Sequence, residues 1–234
     1  MRSPLGAQGA AASSRLYPGW TQFDYIILSD LRASIAGVVD SIAGRILDYG
    51  CGQKPYQPLF TGCVSYEGAD FPGNPCADWT LDDQGHLPPQ LTASFDAVVS
   101  FQVLEHVPNV PAYVEECRRV LRPEGHLLLT THGIWEYHPG PHDVQRWTME
   151  GLIRTIEPHG FETIHCQAIT TRLRSLLQQW QLLVRDCRIP GRRFAICALN
   201  LLAGWCRRSA AAADDRGSLA ICYLFLGRKK TLPC

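Results

Sequence analysis

The chain has 234 residues, 46% of them hydrophobic and 19% charged, with 22 Lys and Arg against 22 Asp and Glu. That balance excludes a disordered tail or a coiled coil, and at roughly 150 residues per domain the length fits one large α/β domain with additions. The ten cysteines form no C-x-x-C pair and no Cys/His ligand spacing, so reduced thiols in a cytoplasmic protein and no bound metal are expected.

The neutral total hides an asymmetry. Residues 171–234 hold 12 Lys and Arg against three Asp, a net of +9, which leaves 1–170 at −9. A basic terminal quarter on an acidic body points to an anionic partner, whether a phosphate-bearing substrate, a membrane surface or nucleic acid. The plain alternative is a solvated helix face.

In chain order, residues 1–20 lack the apolar run of a secretory signal and read as a disordered start. From Thr21 onward Leu28, Leu31, Ile35, Val38, Val39 and Ile42 recur at helical spacing, which predicts a helix ending near Gly44. RILDYG (45–50) reads as a strand, and beyond it Pro55 is placed to open a short helix at its first turn. CVSYEGAD (63–70) reads as a second strand, followed by a Pro-rich acidic loop and then FDAVVSF (95–101), an apolar buried strand. The helix VPAYVEECRRVL, the strand GHLLLTT, a helix capped by Thr148 and the strand FETIHCQAIT complete an alternation that implies a mostly parallel, doubly wound sheet.

After Thr171 the pattern changes. Leu173, Leu176, Leu177, Trp180, Leu183 and Val184 form a helical stripe beside Arg172, Arg174, Arg185 and Arg188. Phe194–Trp205 is nearly all apolar, yet its 12 residues reach about 18 Å, short of a ~30 Å bilayer core. The expected organisation is a core over 21–170, a basic and apolar helical insertion or lid over 171–210, and a loop with a final strand over 211–234. Packing as a lid or against a second subunit, in a homodimer through Phe194–Trp205, is the commoner fate of such a helix; peripheral membrane contact is the alternative.

Chemistry concentrates at strand ends. Ile46-Leu47-Asp48-Tyr49-Gly50-Cys51-Gly52 runs a buried strand into an acidic residue and a G-x-G turn, where glycines let a ligand approach the backbone. Gln53-Lys54-Pro55 replaces the third glycine of a dinucleotide fingerprint. Asp70, closing the second strand, is placed to present a carboxylate to ribose hydroxyls, with a turn or cap role as the alternative. Asp78, Asp82 and Asp83 precede Leu87-Pro88, and LRPEG supplies a turn into the fifth strand.

Together ILDYGCG, the Gly68-Ala69-Asp70 strand end, DQGHLP before SFDAVVSFQVLEHV, and RRVLRPEGHLLLT resemble, over about residues 43–167, the class I S-adenosylmethionine-dependent methyltransferases, in particular those with the type 11 methyltransferase domain. The resemblance implies an α/β fold with a doubly wound, seven-stranded, Rossmann-like sheet whose last strand, supplied by SLAICYLFLGRKK, is antiparallel. It implies S-adenosyl-L-methionine as cofactor, with Asp48, Gly50, Cys51 and Gly52 at its amino-acid end and Asp70 on the ribose. Asp83 is implied as the adenine contact, with Asp82 its competitor, and Gln102 as a position beside the methionine moiety.

The stretch Glu136–Thr148 resembles an H-x-x-P-x-D-x-x-R-x-T segment of a subgroup of these enzymes. Its His138, His142 and Asp143, together with His106, are candidate catalytic groups that would supply a general base, and Arg146 would clamp an anion. The alternative is that Asp143 simply pairs with Arg146. These histidines favour oxygen in a small-molecule acceptor, and the arginines and apolar stripe of 171–210 favour one that is anionic or partly hydrophobic, such as a glycan- or lipid-linked intermediate. Three rivals stand: a non-catalytic cofactor-binding scaffold, an NAD(P)-dependent oxidoreductase, and a nucleic-acid enzyme. The oxidoreductase leaves VLEHV and LRPEG unexplained, and the nucleic-acid reading lacks aromatics among the basic residues.

Overall fold

A seven-stranded sheet organises the computed structural model, which describes residues 14–140, 142–187, 190–209 and 219–231. The strands are β1 (Gly44–Tyr49), β2 (Cys63–Asp70), β3 (Trp79–Thr80), β4 (Phe95–Phe101), β5 (Leu121–His132), β6 (Phe161–Ala168) and β7 (Cys222–Lys229). They lie in the order β3-β2-β1-β4-β5-β7-β6, with β1 to β5 parallel and β7 inserted antiparallel between β5 and β6. The expected doubly wound sheet with an antiparallel last strand is therefore present.

Strand alternation divides the core into two layers. Ile46, Ala97, Val99, Leu128, Leu224 and Leu226 face α1 (Tyr25–Ala36), while Leu47, Tyr49, Val98, Leu127, Leu129 and Phe225 face α2 (Val110–Val120) and α3 (Met149–Ile156). Successive side chains point to opposite faces, so strands covered on both sides must be apolar throughout. Thr148 caps α3 as expected, its hydroxyl accepting from the Gly151 amide at 3.1 Å.

Three local expectations are corrected. The first helix stops at Ala36, because Gly37 and the β-branched Val38 and Val39 follow, and only a 3-10 turn at Val39–Ser41 continues it. No α-helix follows the G-x-G turn: Pro55 and Pro58 lie within one turn, remove two amide donors, and leave a single 3-10 turn at Gln57–Leu59. The expected disordered start extends too far, since Leu16 is buried in the α1-side layer; residues 1–13 lie outside the described residues.

The 171–210 region forms two helices, α4 (Arg172–Asp186) and α5 (Arg192–Ser209), packed on each other and on α1. Its polarity is inverted. Arg174, Ser175, Gln178 and Gln181 are buried with Leu177 and Leu182, whereas Leu173, Leu176, Trp180 and Leu183 are exposed. The buried polar groups satisfy one another and nearby backbone: Gln181 Nε2 reaches Asn200 Oδ1 at 2.5 Å, and Gln178 Nε2 reaches the Phe23 carbonyl at 2.7 Å. α5 exposes Phe194, Leu201, Leu202 and Trp205. Among the described residues no helix is long and apolar enough to cross a membrane; Arg188 and the stretch 210–218 lie outside them.

Candidate active site

β1 is flanked by β2 on one side and β4 on the other, so the chain reverses its direction of winding there. Loops at the carboxyl ends of strands on either side of such a point diverge and leave a crevice. Gly50–Gly52, Asp70, Gln102–His106 and the loop after β5 all converge on this edge.

The glycine turn is fixed by its backbone. Gly50 has φ +80°, and a Cβ there would fall 2.6 Å from Val103 Cγ2; the Gly50 and Cys51 amides donate to the Ala69 carbonyl at 2.9 and 3.0 Å. Gly52 also has positive φ, but a Cβ added to it would meet nothing within 4 Å. Its amide donates to Asp70 Oδ2 at 3.0 Å, and Asp70 also accepts from the Phe71 amide at 2.8 Å and Asn74 Nδ2 at 2.6 Å. The turn and the second acid thus border one opening, with the exposed Phe71 ring beside it. Cys51 is buried, and burial pushes its thiol up to about 12, so it packs as a neutral side chain.

Asp48 lies beneath the turn, 2% exposed, and accepts from the Tyr66 hydroxyl at 2.8 Å. Burial raises its carboxyl to about 7, against the opposing pull of the Tyr66 hydroxyl and the Lys54 charge. Lys54 itself is paired with Asp78 at 2.5 Å.

The remaining predicted acids part company. Asp82 builds its own turn, accepting from the Gln84 and His86 amides at 2.9 and 2.7 Å, while Asp83 is exposed at the surface. Gln102, in the left-handed region at φ +58°, turns its amide toward Thr130 Oγ1 at 3.0 Å and the Cys222 thiol at 3.4 Å.

On the β5 side a histidine cluster forms. The ring centroid of His138 lies 5.1 Å from that of His106 and 4.9 Å from that of His132. Asp143 is held by Arg146 through both carboxylate oxygens and accepts from the His138 amide at 2.9 Å. The Arg146 guanidinium keeps its carboxyl far below the ordinary range, which makes it a brace for the loop and removes it as a general base. His142 is exposed, and its carbonyl oxygen accepts from His106 Nδ1. A carbonyl can only accept, so Nδ1 carries a proton, and Nε2 is the ring nitrogen turned away from this bond. The loop is stitched to the β4 side by Val144 N to Glu105 O at 2.9 Å and by Gln145 Nε2 to Val107 O at 3.0 Å. It is gripped from α4 by Arg185, bidentate to Glu136 at 2.7 and 2.8 Å.

Residues 21–188 match the family described as "Methyltransferase domain". The chain belongs to this methyltransferase family. Over 115 residues, 42% of the chain, it is 29% identical to a ubiquinone biosynthesis O-methyltransferase of Xanthomonas oryzae pv. oryzae, covering 46% of that protein. It is 38% identical over 76 residues, 30% of each chain, to a probable S-adenosylmethionine-dependent methyltransferase of Mycolicibacterium smegmatis. The chain thus spans less than half the length of these two relatives. In fold it resembles the Haemonchus contortus phosphoethanolamine N-methyltransferase 2 solved with S-adenosyl-L-methionine, with a TM-score of 0.51 at 15% identity, covering 89% of this chain and 56% of that one.

The sequence motifs gather at one edge of the sheet, where β1, β2, β4 and β5 end. They missed His132, the last residue of β5, which is buried beside Glu105. Its one signal in the sequence was a polar histidine ending the apolar run of a strand that runs into the crevice. They also missed Tyr66 as the partner of Asp48, because that contact crosses from one strand to its neighbour.

Proposed function

We propose that the protein transfers the methyl group of S-adenosyl-L-methionine to an oxygen of a small-molecule acceptor. The observation that carries this reading is the shared opening between Gly52 and Asp70, where absent side-chain volume meets a carboxylate at the switch point of the sheet. These residues fit the cofactor: the turn admits an approaching amino-acid end over Asp48, and Asp70 can exchange its Asn74 contact for ribose hydroxyls. Phe71 offers a ring for the adenine, and the exposed Asp83 a carboxylate for its amine. Gln102 serves the cofactor by holding the β4 turn.

Bound there, the cofactor supplies an electrophilic methyl group on a sulfonium. What the chain contributes is alignment, part of the roughly 7–11 kcal/mol available to proximity, and the removal of the acceptor's proton. His106 Nε2 is the base this reading assigns, with the His142 carbonyl holding its tautomer. Asp143 acts by position, setting the loop that carries His138.

Calorimetric titration tests the cofactor reading. Micromolar binding of S-adenosylmethionine, about −8 kcal/mol, is expected for the wild type, with at least a tenfold loss in Asp70→Asn. Binding of NADP in its place, or wild-type affinity in the variant, would overturn the assignment.

The acceptor we propose is partly hydrophobic and anionic, met at a membrane surface by a cytoplasmic protein. Support comes from α4, which contacts the His138 loop through Arg185 and through Gln179 to the Ile134 carbonyl and presents Trp180 and Leu183 outward beside exposed Ile134 and Tyr137. Exposed Arg172, Arg192 and Arg193 flank these helices. Trp180→Asp is expected to lower co-sedimentation with anionic phospholipid vesicles several-fold while leaving cofactor binding unchanged. A change in sedimentation coefficient without loss of vesicle binding would instead assign the face to a homodimer.

A further inference from the structure

We propose that Glu105, His132 and His138 form a binding site for a divalent transition-metal ion of the zinc class. Glu105 comes from the 3-10 turn after β4, His132 from the end of β5, and His138 from the following loop; one ligand atom of each lies within 4.8 Å of the others. The first two side chains are buried and His138 is partly so. His138 Nδ1 lies 3.4 Å from the Glu136 carbonyl and 3.7 Å from Asp143 Oδ2. Glu105 Oε1 and His132 Nδ1 face each other at 2.7 Å, yet both are buried without an aligned hydrogen bond.

One hydrogen bond and one ring stack support the ligand side chains. Glu105 Oε2 accepts from the Thr131 hydroxyl at 2.9 Å, which orients the carboxylate and leaves Oε1 directed at the cluster. His132 is stacked on Trp135 with ring centroids 5.4 Å apart and planes within 10°. The His138 backbone amide donates to Asp143, itself paired with Arg146, which fixes the loop that carries the ring. Such outer contacts fix the rotamers of ligands and tune their basicity. Two imidazoles and a carboxylate suit zinc, cobalt, iron or manganese, whereas magnesium and calcium prefer oxygen donors throughout. His106 Nε2, 4.0 Å from Glu105 Oε1, stands at the rim. Bound there, the ion would supply Lewis acidity toward an acceptor hydroxyl. This last link rests on the methyl-transfer reading above, whereas the site itself rests on geometry.

The test uses tag-free, chelator-treated protein titrated with Co2+ and followed by its visible ligand-field bands. One equivalent bound with micromolar or tighter affinity is expected. His138→Asn and Glu105→Gln should each weaken it at least as much as the ~10–100-fold typical of losing outer-shell support. His138 is part-exposed on a loop, so His138→Asn keeps the test meaningful if Glu105→Gln fails to fold. Absence of stoichiometric binding by the folded wild type overturns the site. So does binding unchanged in both variants, which would assign the ion to thiols elsewhere. S-adenosylmethionine titrated into the same chelated protein reads the methyltransferase assignment separately: its loss with Co2+ binding intact sinks that assignment and leaves the metal site supported.

Discussion

Replacing Arg174 by Met is expected to destabilise the protein by about 3–5 kcal/mol, the usual result of removing one member of a buried ion pair. Arg174 Nε and an Nη of the same guanidinium grip Asp30 of α1 at 2.6 and 2.8 Å, with both side chains less than a tenth exposed. The other Nη donates to the Ala203 carbonyl of α5. One guanidinium therefore joins three helices where, among the described residues, Ile26, Leu177 and Ala203 form a small apolar cluster with Tyr25 and Leu199 packed against it. In Arg174→Met the Asp30 carboxylate stays buried and loses both guanidinium hydrogen bonds. For a chain of this size each kcal/mol is worth roughly 2–4 °C in midpoint, so thermal unfolding should fall by about 6–20 °C. The double variant Asp30→Leu/Arg174→Met is expected to recover most of the loss, because a matched apolar pair removes the desolvation cost of both ions. A single variant within a degree of wild type would mean that α4 and α5 are held by something other than this pair.

That arginine also marks where sequence reasoning stops. The heptad-like run Leu173, Leu176, Trp180 and Leu183 gives the helix its period but not the face it buries, since the buried face is decided by partners on distant segments. Asp30, Asn200 and the Phe23 carbonyl are those partners. At β1 the opposite holds. Apolar alternation into Asp48 and two glycines is a local signal, because the backbone geometry that needs glycine at Gly50 is set within a few residues and by Val103 across the turn. The histidine cluster lies between these cases. His106 and His138 were visible as polar residues on loops at strand ends, but only the pairing of β4 with β5 brings Glu105 up to His132. Asp143 shows the same limit from the other side: its spacing from Arg146 allowed either chemistry or a brace, and the bidentate pairing makes it the brace.

Asp48→Asn is expected to separate stability from cofactor binding in opposite directions. With the folded carboxyl raised to about 7 from its ordinary 3.8 by burial, the wild-type fold favours the protonated form. Its stability contribution is therefore full at low pH and is lost as the pH rises from about 4 through 7. Above that range the buried carboxylate carries a cost on the order of 1–4 kcal/mol. Asparagine keeps an oxygen for the Tyr66 hydroxyl and cannot ionise. The variant should melt several degrees above wild type at pH 8 and close to it at pH 4.5. Binding should behave in the reverse sense. On the proposed placement of the cofactor over Asp48, its cationic end favours an ionised carboxylate, so wild-type affinity should rise with pH through about 7, while that of the variant should be weaker and flat. A wild-type affinity equally flat across that range would show that Asp48 supports the glycine turn without meeting the ligand's charge. A variant less stable than wild type at pH 8 would show that Tyr66 and Lys54 already compensate the buried carboxylate. The pH profiles of melting and of binding in the two proteins thus measure separately what burying Asp48 costs the fold and what its charge does for the ligand.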